Sequence, residues 1–360
     1  MSDATLLPPL FAAWINEWLA GLPTESHATC DRCAMCASEP HVSTDGYFFD
    51  RGIKCCTFLP RIPNFIAGRI LRDDGDDLAH GRATLGDRLA AGTGVTPFGL
   101  STPPTYDLLY ANAQDFFGRA HELRCPHYVA RDGRCGIWRH REATCATWFC
   151  KHDRGATGQA FWMAMRDLLH AVEHDLARWC VLTLVRDERT LASLALVDSS
   201  NGRLDASALD GRSNPDVQRE LWGDWVGRER DFFVAAAALV DPLRWNDVLA
   251  ICGPTVRIQV ASVQVSYRRL TDATMPKTLR IGRHEIIRRS ADSSTLRTYS
   301  DFDPLNVPQR LLDVLPYFDG RPTADACQAI ARERGLELTR GQLQELIDFR
   351  ILLAPEESSK

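Results

Sequence analysis

The chain has 360 residues, 45% hydrophobic and 25% charged, with 12 cysteines and a formal net charge of -5. That length exceeds one ordinary domain and supplies apolar material for two or three cores. The acidic balance, without a long run of Lys or Arg, argues against a nucleic-acid partner, whose phosphates demand a basic face. No segment approaches the roughly 18–20 uninterrupted apolar residues of a membrane helix; the most apolar run, Phe232 to Val240, is far shorter. Met1 to Leu10 lacks the basic and apolar regions of a signal peptide, so a cytoplasmic protein with reduced thiols is expected.

Leu10, Trp14 and Trp18 recur every four residues and predict an amphipathic helix over Leu10–Ala20, ended by Gly21-Leu22-Pro23. Residues 22–60 show no helical period, and a loop this long needs something else to order it. Pro63-Asn64 predicts a helix carrying Phe65, Ile66, Ile70 and Leu71, and a second is expected from Asp77 to Ala91. After a Pro-rich connector, Tyr106 to Leu123 reads as helical, and Asp132-Gly133 as a turn folding Cys125 towards Cys135. Beyond Gly155 the positions of Phe161, Met165, Leu168, Leu169, Val172, Leu176 and Trp179 predict one long helix. Residues 186–214 carry a weaker signal, an apolar run at Leu191–Val197 followed by a Ser/Asn/Gly/Asp-rich linker. Helices are expected at about 215–239, 242–251 and 254–270. A break at Asp272–Pro276 opens a last unit with strands at Leu279–Ile287 and Leu296–Tyr299 and helices at about 307–317, 323–334 and 340–348. Thr339-x-x-Gln342 is a capping box, and Gly335 suits a helix C-cap.

Nine cysteines fall within the first 150 residues: Cys30, Cys33 and Cys36 in C-x2-C-x2-C spacing, the pair Cys55-Cys56, and Cys125, Cys135, Cys145 and Cys150. Clustered thiols in a reducing compartment point to metal. Three cysteines in series resemble ferredoxin loops more than the paired arrangement of zinc sites, with Cys55 or Cys56 available as a fourth ligand. Cys125, Cys135, Cys145 and Cys150 make a second set, leaving one thiol more than two four-cysteine centres use. Neighbouring residues in extended chain point opposite ways, so Cys55 and Cys56 are expected to serve different centres. Cys180, Cys252 and Cys327 are isolated and read as core. His127, His140 and His152 read as surface groups or supports for a sulfur. Arg139, His140 and Arg141 read as a solvated, locally paired face, with steering of an anionic partner or stabilisation of thiolate charge as the alternatives, and Asp73-Asp74 with Asp76-Asp77 read as a solvated turn. No phosphate loop, dinucleotide fingerprint, G-x-S-x-G or H-E-x-x-H occurs.

The block Cys125-Pro126, Asp132-Gly133-Arg134-Cys135-Gly136-Ile137-Trp138, Arg141, Cys145 and Cys150 resembles the YkgJ-like zinc- or iron-chelating family over about residues 28–155. The family's compact C-x2-C-x2-C-C is split here into Cys30/Cys33/Cys36 and Cys55-Cys56. The resemblance implies metal bound by the nine cysteines, with a 4Fe-4S cluster favoured over zinc. Similar motifs occur in flagellin lysine methylases, but no catalytic residue carries over. Two strands and three helices around Phe318-Asp319-Gly320-Arg321-Pro322-Thr323 are similar to PqqD-like and winged-helix domains, which implies an extended peptide partner.

The expected fold is mainly α with metal-ordered loops. It comprises a cysteine-cluster helical domain over 1–185, a helical region over 186–271 packing on it, and a small α+β domain over 272–360. The expected function is an iron–sulfur protein acting on or recognising a peptide or protein. The alternatives are a zinc-stabilised, non-catalytic interaction module and an Fe–S-dependent protein-modifying enzyme.

Overall fold

The computed structural model describes residues 6–30, 33–36, 48–199, 215–272 and 274–354, and the linker expected after Val197 falls largely outside them. The chain is mainly helical with small sheets. Helix α1 (Pro9–Ile15) ends earlier than its stripe suggests. Beyond it the bonds Glu17 N–H to Trp14 O and Trp18 N–H to Ile15 O shorten the period to three. Trp18 still finds a partner, stacked on Trp245.

Helix α2 (Asn64–Arg72) starts where Pro63 allows and buries Phe65, Ile66, Ile70 and Leu71 as expected. Buried Asn64 anchors its first turn, donating to the carbonyls of Pro97 and Ala177 at 2.9 and 3.0 Å. A small antiparallel sheet of β1 (Ile62–Pro63), β2 (Val95–Thr96) and β3 (Gly99–Leu100) brackets α2 and α3 (Ala79–Ala91). Helix α4 (Pro104–Asn112) is shorter than expected: it buries none of its residues, so no apolar face propagates it. Short 3-10 turns at Gln114–Phe116 and His121–Leu123 replace the rest. The hairpin β4 (Tyr128–Val129) and β5 (Arg134–Cys135) turns at Gly133, whose φ of 64° is left-handed, and α5 (Ala143–Thr147) follows.

The long helix α6 (Gly155–Leu184) is the expected one, with Phe161, Met165, Leu168, Leu169, Val172 and Leu176 buried. The weak region instead forms helix α7 (Glu188–Ser199). The helix expected at 215–239 is two, α8 (Pro215–Trp222) and α9 (Glu229–Val240), split by a turn in which Gly223 has φ 51°. Helices α10 (Trp245–Ile251) and α11 (Pro254–Thr271) complete the array. Helix α9 crosses α2 at backbone contact: a Cβ on Gly68 would lie 1.8 Å from the Phe233 carbonyl oxygen. One apolar core runs through these helices from Leu7 to Leu270.

A second core, from Leu279 to Leu352, closes around Leu296, Phe318, Ile330, Leu346 and Ile351. Strand β6 (Thr278–Ile281) pairs with β10 (Asp319–Pro322) and β11 (Leu352–Leu353). Strands β7 (Glu285–Arg289), β8 (Ser293–Arg297) and β9 (Leu305–Pro308) form an antiparallel sheet in that order. The first expected strand is therefore two, β6 and most of β7. Gly282 sits between them with its N–H on the Ile351 carbonyl. Helices α12 (Gln309–Leu312), α13 (Thr323–Arg334) and α14 (Arg340–Asp348) follow the expected order, with the Thr339–Gln342 box formed and Gly335 left-handed at φ 63°. The two cores meet where Arg154, at the start of α6, forms a two-pronged ion pair with buried Asp348.

Candidate metal centre

Backbone and lysine contacts draw the separate cysteine segments together. Lys54 adopts a left-handed φ of 56° and sends its ammonium to the carbonyls of Cys30 and Gly133, both at 2.6 Å. One side chain thus ties the first cysteine segment and the β4–β5 hairpin to the Cys55-Cys56 turn. The Cys125 amide donates to the Cys56 carbonyl at 2.7 Å, and the pairing of Tyr128 with Cys135 brings β5 alongside. Tyr106 fixes the chain after Cys56 by donating to the Thr57 carbonyl and accepting from the Leu59 amide. Cys145 rides on α5, whose N-cap Glu142 accepts from the amides of Thr144 and Cys145 at 2.7 Å. Cys150 lies just before α6.

Each of the nine thiols lies near enough to at least one other to shift its titration. Burial pushes Cys30, Cys125 and Cys135 up to about 12, and the charge on Cys55 adds to each. Cys150 is raised by burial and then by Cys55 and Cys33. Cys145 is raised well above the usual thiol range by burial and by the Glu142 carboxylate beside it. Cys33 shares a thiol–thiol hydrogen bond with Cys36, which lowers Cys33 to about 6 and raises Cys36. A similar bond lowers Cys55 and raises Cys56. Cys55 and Cys56 therefore do not point apart: they sit in a turn, not in extended chain, and touch each other. Beyond that contact Cys56 is raised by Cys135 and Cys125, whereas Cys55 is raised by Cys33.

The basic spot expected on the surface divides. Arg139 and His140 are paired locally, with Asp77 and Asp73, so part of that acidic turn is engaged and not merely solvated. Arg141 is buried at 5% exposure and lies 3.4 Å over the Trp138 ring. Its three donor nitrogens reach only the carbonyls of Trp138, Cys145 and Leu6, and no carboxylate of the described residues pairs with it. Burial lowers its pKa, and Cys135, Cys30, Cys145 and Cys55 are the groups near enough to offset that when they are ionised.

The three histidines are buried, at 1%, 9% and 6% exposure, and are not surface groups. His127 gives Nδ1 to Thr84 at 2.8 Å, leaves Nε2 without a partner, and is lowered to about 3 by burial. His140 is committed to Asp73 at 2.8 Å. The backbone of His152 donates to Asp303, to which Tyr299 also donates. Cys180 and Cys252 are buried in the first core and Cys327 packs against the second. Among the described residues no three thiols lie within 4.8 Å of one another.

Sequence reasoning missed Lys54 and the burial of Arg141, Glu142 and Glu173. Glu173 carried a signal, since it falls beside Val172 on the apolar stripe of α6, where a carboxylate breaks the pattern. No family model, curated protein or solved structure matches the chain.

Proposed function

We propose that the chain binds an iron–sulfur cluster in its cysteine centre and that the C-terminal unit presents a peptide or protein partner beside it. The observation that carries this is Arg141. A buried guanidinium without a carboxylate costs several kcal/mol, by roughly the desolvation penalty of an unpaired ion, and thiolates carrying net negative charge would offset it. Lys54 adds a second cation on the side of Cys30, Cys33 and Cys36, whose thiols it lowers. The ligands would come from Cys30, Cys33, Cys36, Cys55, Cys56, Cys125, Cys135, Cys145 and Cys150. A cubane takes four, so nine are enough for two.

The serial C-x2-C-x2-C spacing of Cys30, Cys33 and Cys36 is the feature that favours a cluster over zinc. When bound, the cluster supplies one-electron transfer or charge stabilisation. Phe49, Phe117, Trp148 and Phe302 interlock edge to face, Trp148 lying in the segment between Cys145 and Cys150.

The partner reading rests on an open cleft of about 570 Å³ lined by Arg283, His284, Glu285, Arg297, Tyr299 and Asp301. Tyr299 links the two places, facing the cleft while bonded to Asp303, whose charge raises Cys150. The charged lining and the exposed β7 edge suit a polar extended peptide. The likeness to YkgJ-like and PqqD-like proteins belongs to this proposal.

Anaerobic purification followed by iron, sulfide and zinc analysis and a visible spectrum of one sample tests it. A brown protein with matching iron and sulfide supports the cluster. A colourless protein with stoichiometric zinc and no sulfide, even when supplied with iron, overturns it.

A further inference from the structure

A second group of metal-type ligands lies outside the cysteines. Glu142 caps α5, and His170 and Glu173 stand three residues apart on α6, against which α5 packs. One ligand atom from each lies within 4.8 Å of the other two. Both carboxylates are buried, at 4% and 6% exposure, and neither has a Lys or Arg partner among the described residues, although Arg141 is the next residue to Glu142. Three amides reach them: Ala143 donates to Oε1 of Glu173 at 2.8 Å, and Thr144 and Cys145 donate to the two oxygens of Glu142. Glu173, 6% exposed as a residue, accepts the Ala143 amide through Oε1 and has no side-chain donor among the described residues.

Burial, and then the Glu142 carboxylate beside it, raise Glu173 well above the usual carboxylate range, a cost that a bound cation would relieve. Next to them is the element a proton-sharing pair does not need, an imidazole. His170 Nε2 is 3.9 Å from Oε2 of Glu142 and 2.8 Å from the Thr144 hydroxyl. Burial lowers its pKa, which leaves it neutral and able to ligate. The ring is half exposed, at 49%, and so opens the group to solvent, while the carboxylates form its floor.

We infer that Glu142, Glu173 and His170 form a cation site, distinct from the cysteine centre, that takes one divalent first-row ion. Two carboxylates and one imidazole, with positions left for water, form a donor set for Mn2+, Fe2+ or Zn2+. An ion held there would fix α5 to α6, and with it the helix turn that carries Cys145.

Mn2+ is the suitable probe, because hard carboxylates bind it and thiolates do so poorly. Titration of the whole protein, with its cysteine centre loaded as purified, is followed by loss of the free-Mn2+ electron paramagnetic resonance signal. The expected result is one Mn2+ bound per chain. His170→Ala, at a half-exposed position the fold tolerates, weakens binding at least about tenfold, and Glu173→Gln, which keeps the acceptor for Ala143, abolishes it. Absence of uptake at millimolar Mn2+ overturns the site, as does uptake that both variants leave unchanged. A Glu173→Gln variant that is more stable than the parent, with no Mn2+ bound by either, assigns the pair to a shared proton and overturns it too.

Discussion

The cysteine region and the C-terminal unit solve the same problem with different means. The C-terminal unit, from β6 to β11, closes its own apolar core around Leu279, Phe318, Ile330 and Ile351, each fully buried or nearly so. Between Ser26 and Cys150 the described residues include α2 and α3, which pack into the first apolar core, and the two-residue strands and turns that carry the thiols beside a buried cation. Apolar surface is non-directional and needs only volume, whereas thiolates and guanidinium repay their burial only when their charges meet. If the thiols bind the proposed cluster, order around them should depend on it, whereas the second core is closed by apolar packing alone.

The largest effect should come from removing the metal that the proposal places among the thiols. Hydrogen exchange after chelation is expected to lose protection at the amides of Cys36, Cys56, Cys125, Gly136 and Cys145, while β8, α13 and α14 stay protected. Equal loss in both regions would remove the contrast. Next, Phe318→Ala should destabilise the C-terminal unit by about 3–5 kcal/mol through an unfilled cavity, read by denaturant unfolding, with the metal content of the cysteine region unchanged. Arg141→Met keeps volume but removes the cation, and should cut the metal retained during purification by about 10- to 100-fold, the range seen when groups behind a ligand are changed. Metal content equal to the parent's would show that thiolate charge does not need Arg141.

The smallest effect concerns pH at the seam between the regions. Glu25 is buried, accepts from Trp162 Nε1 and the Asp153 amide at 2.8 and 2.7 Å, and is raised by burial to about 7. A carboxyl raised on folding binds its proton more tightly in the folded chain. Its contribution is full below the usual value of 4.5 and is lost as pH climbs through about 7. Glu25→Gln keeps an acceptor and never ionises. Its stability advantage over the parent should grow by about 2 kcal/mol between roughly pH 5.5 and 8, as the shift implies. A pH-independent difference between the two proteins would show that Glu25 ionises freely in the folded state.

Helices were legible where one stretch carried the whole signal. The stripe from Phe161 to Trp179 gave α6, the Thr339–Gln342 pair gave the start of α14, and Pro63-Asn64 gave that of α2. The signal misled where packing chose the length. Tyr106 to Leu123 has helical composition, but α4 buries nothing and stops at Asn112. Leu191–Val197 looked weak, yet Leu194 reaches the first core and α7 forms. At the site, the grouping of the nine cysteines was legible in the sequence. Nothing local showed that Arg141 turns inward while Arg139, two residues earlier, pairs with Asp77.

The sequence by itself determined which residue types cluster and where the strongest helical stripes run, because propensity, spacing and capping act over a few neighbouring residues. Only the tertiary structure decided that Cys30 and Cys150 share one neighbourhood with Cys55, that Lys54 spans two cysteine segments, and that Glu142 meets His170 and Glu173. Those juxtapositions arise from loop closure and helix packing across tens to more than a hundred residues, and the short-range pattern of a chain contains no term for them.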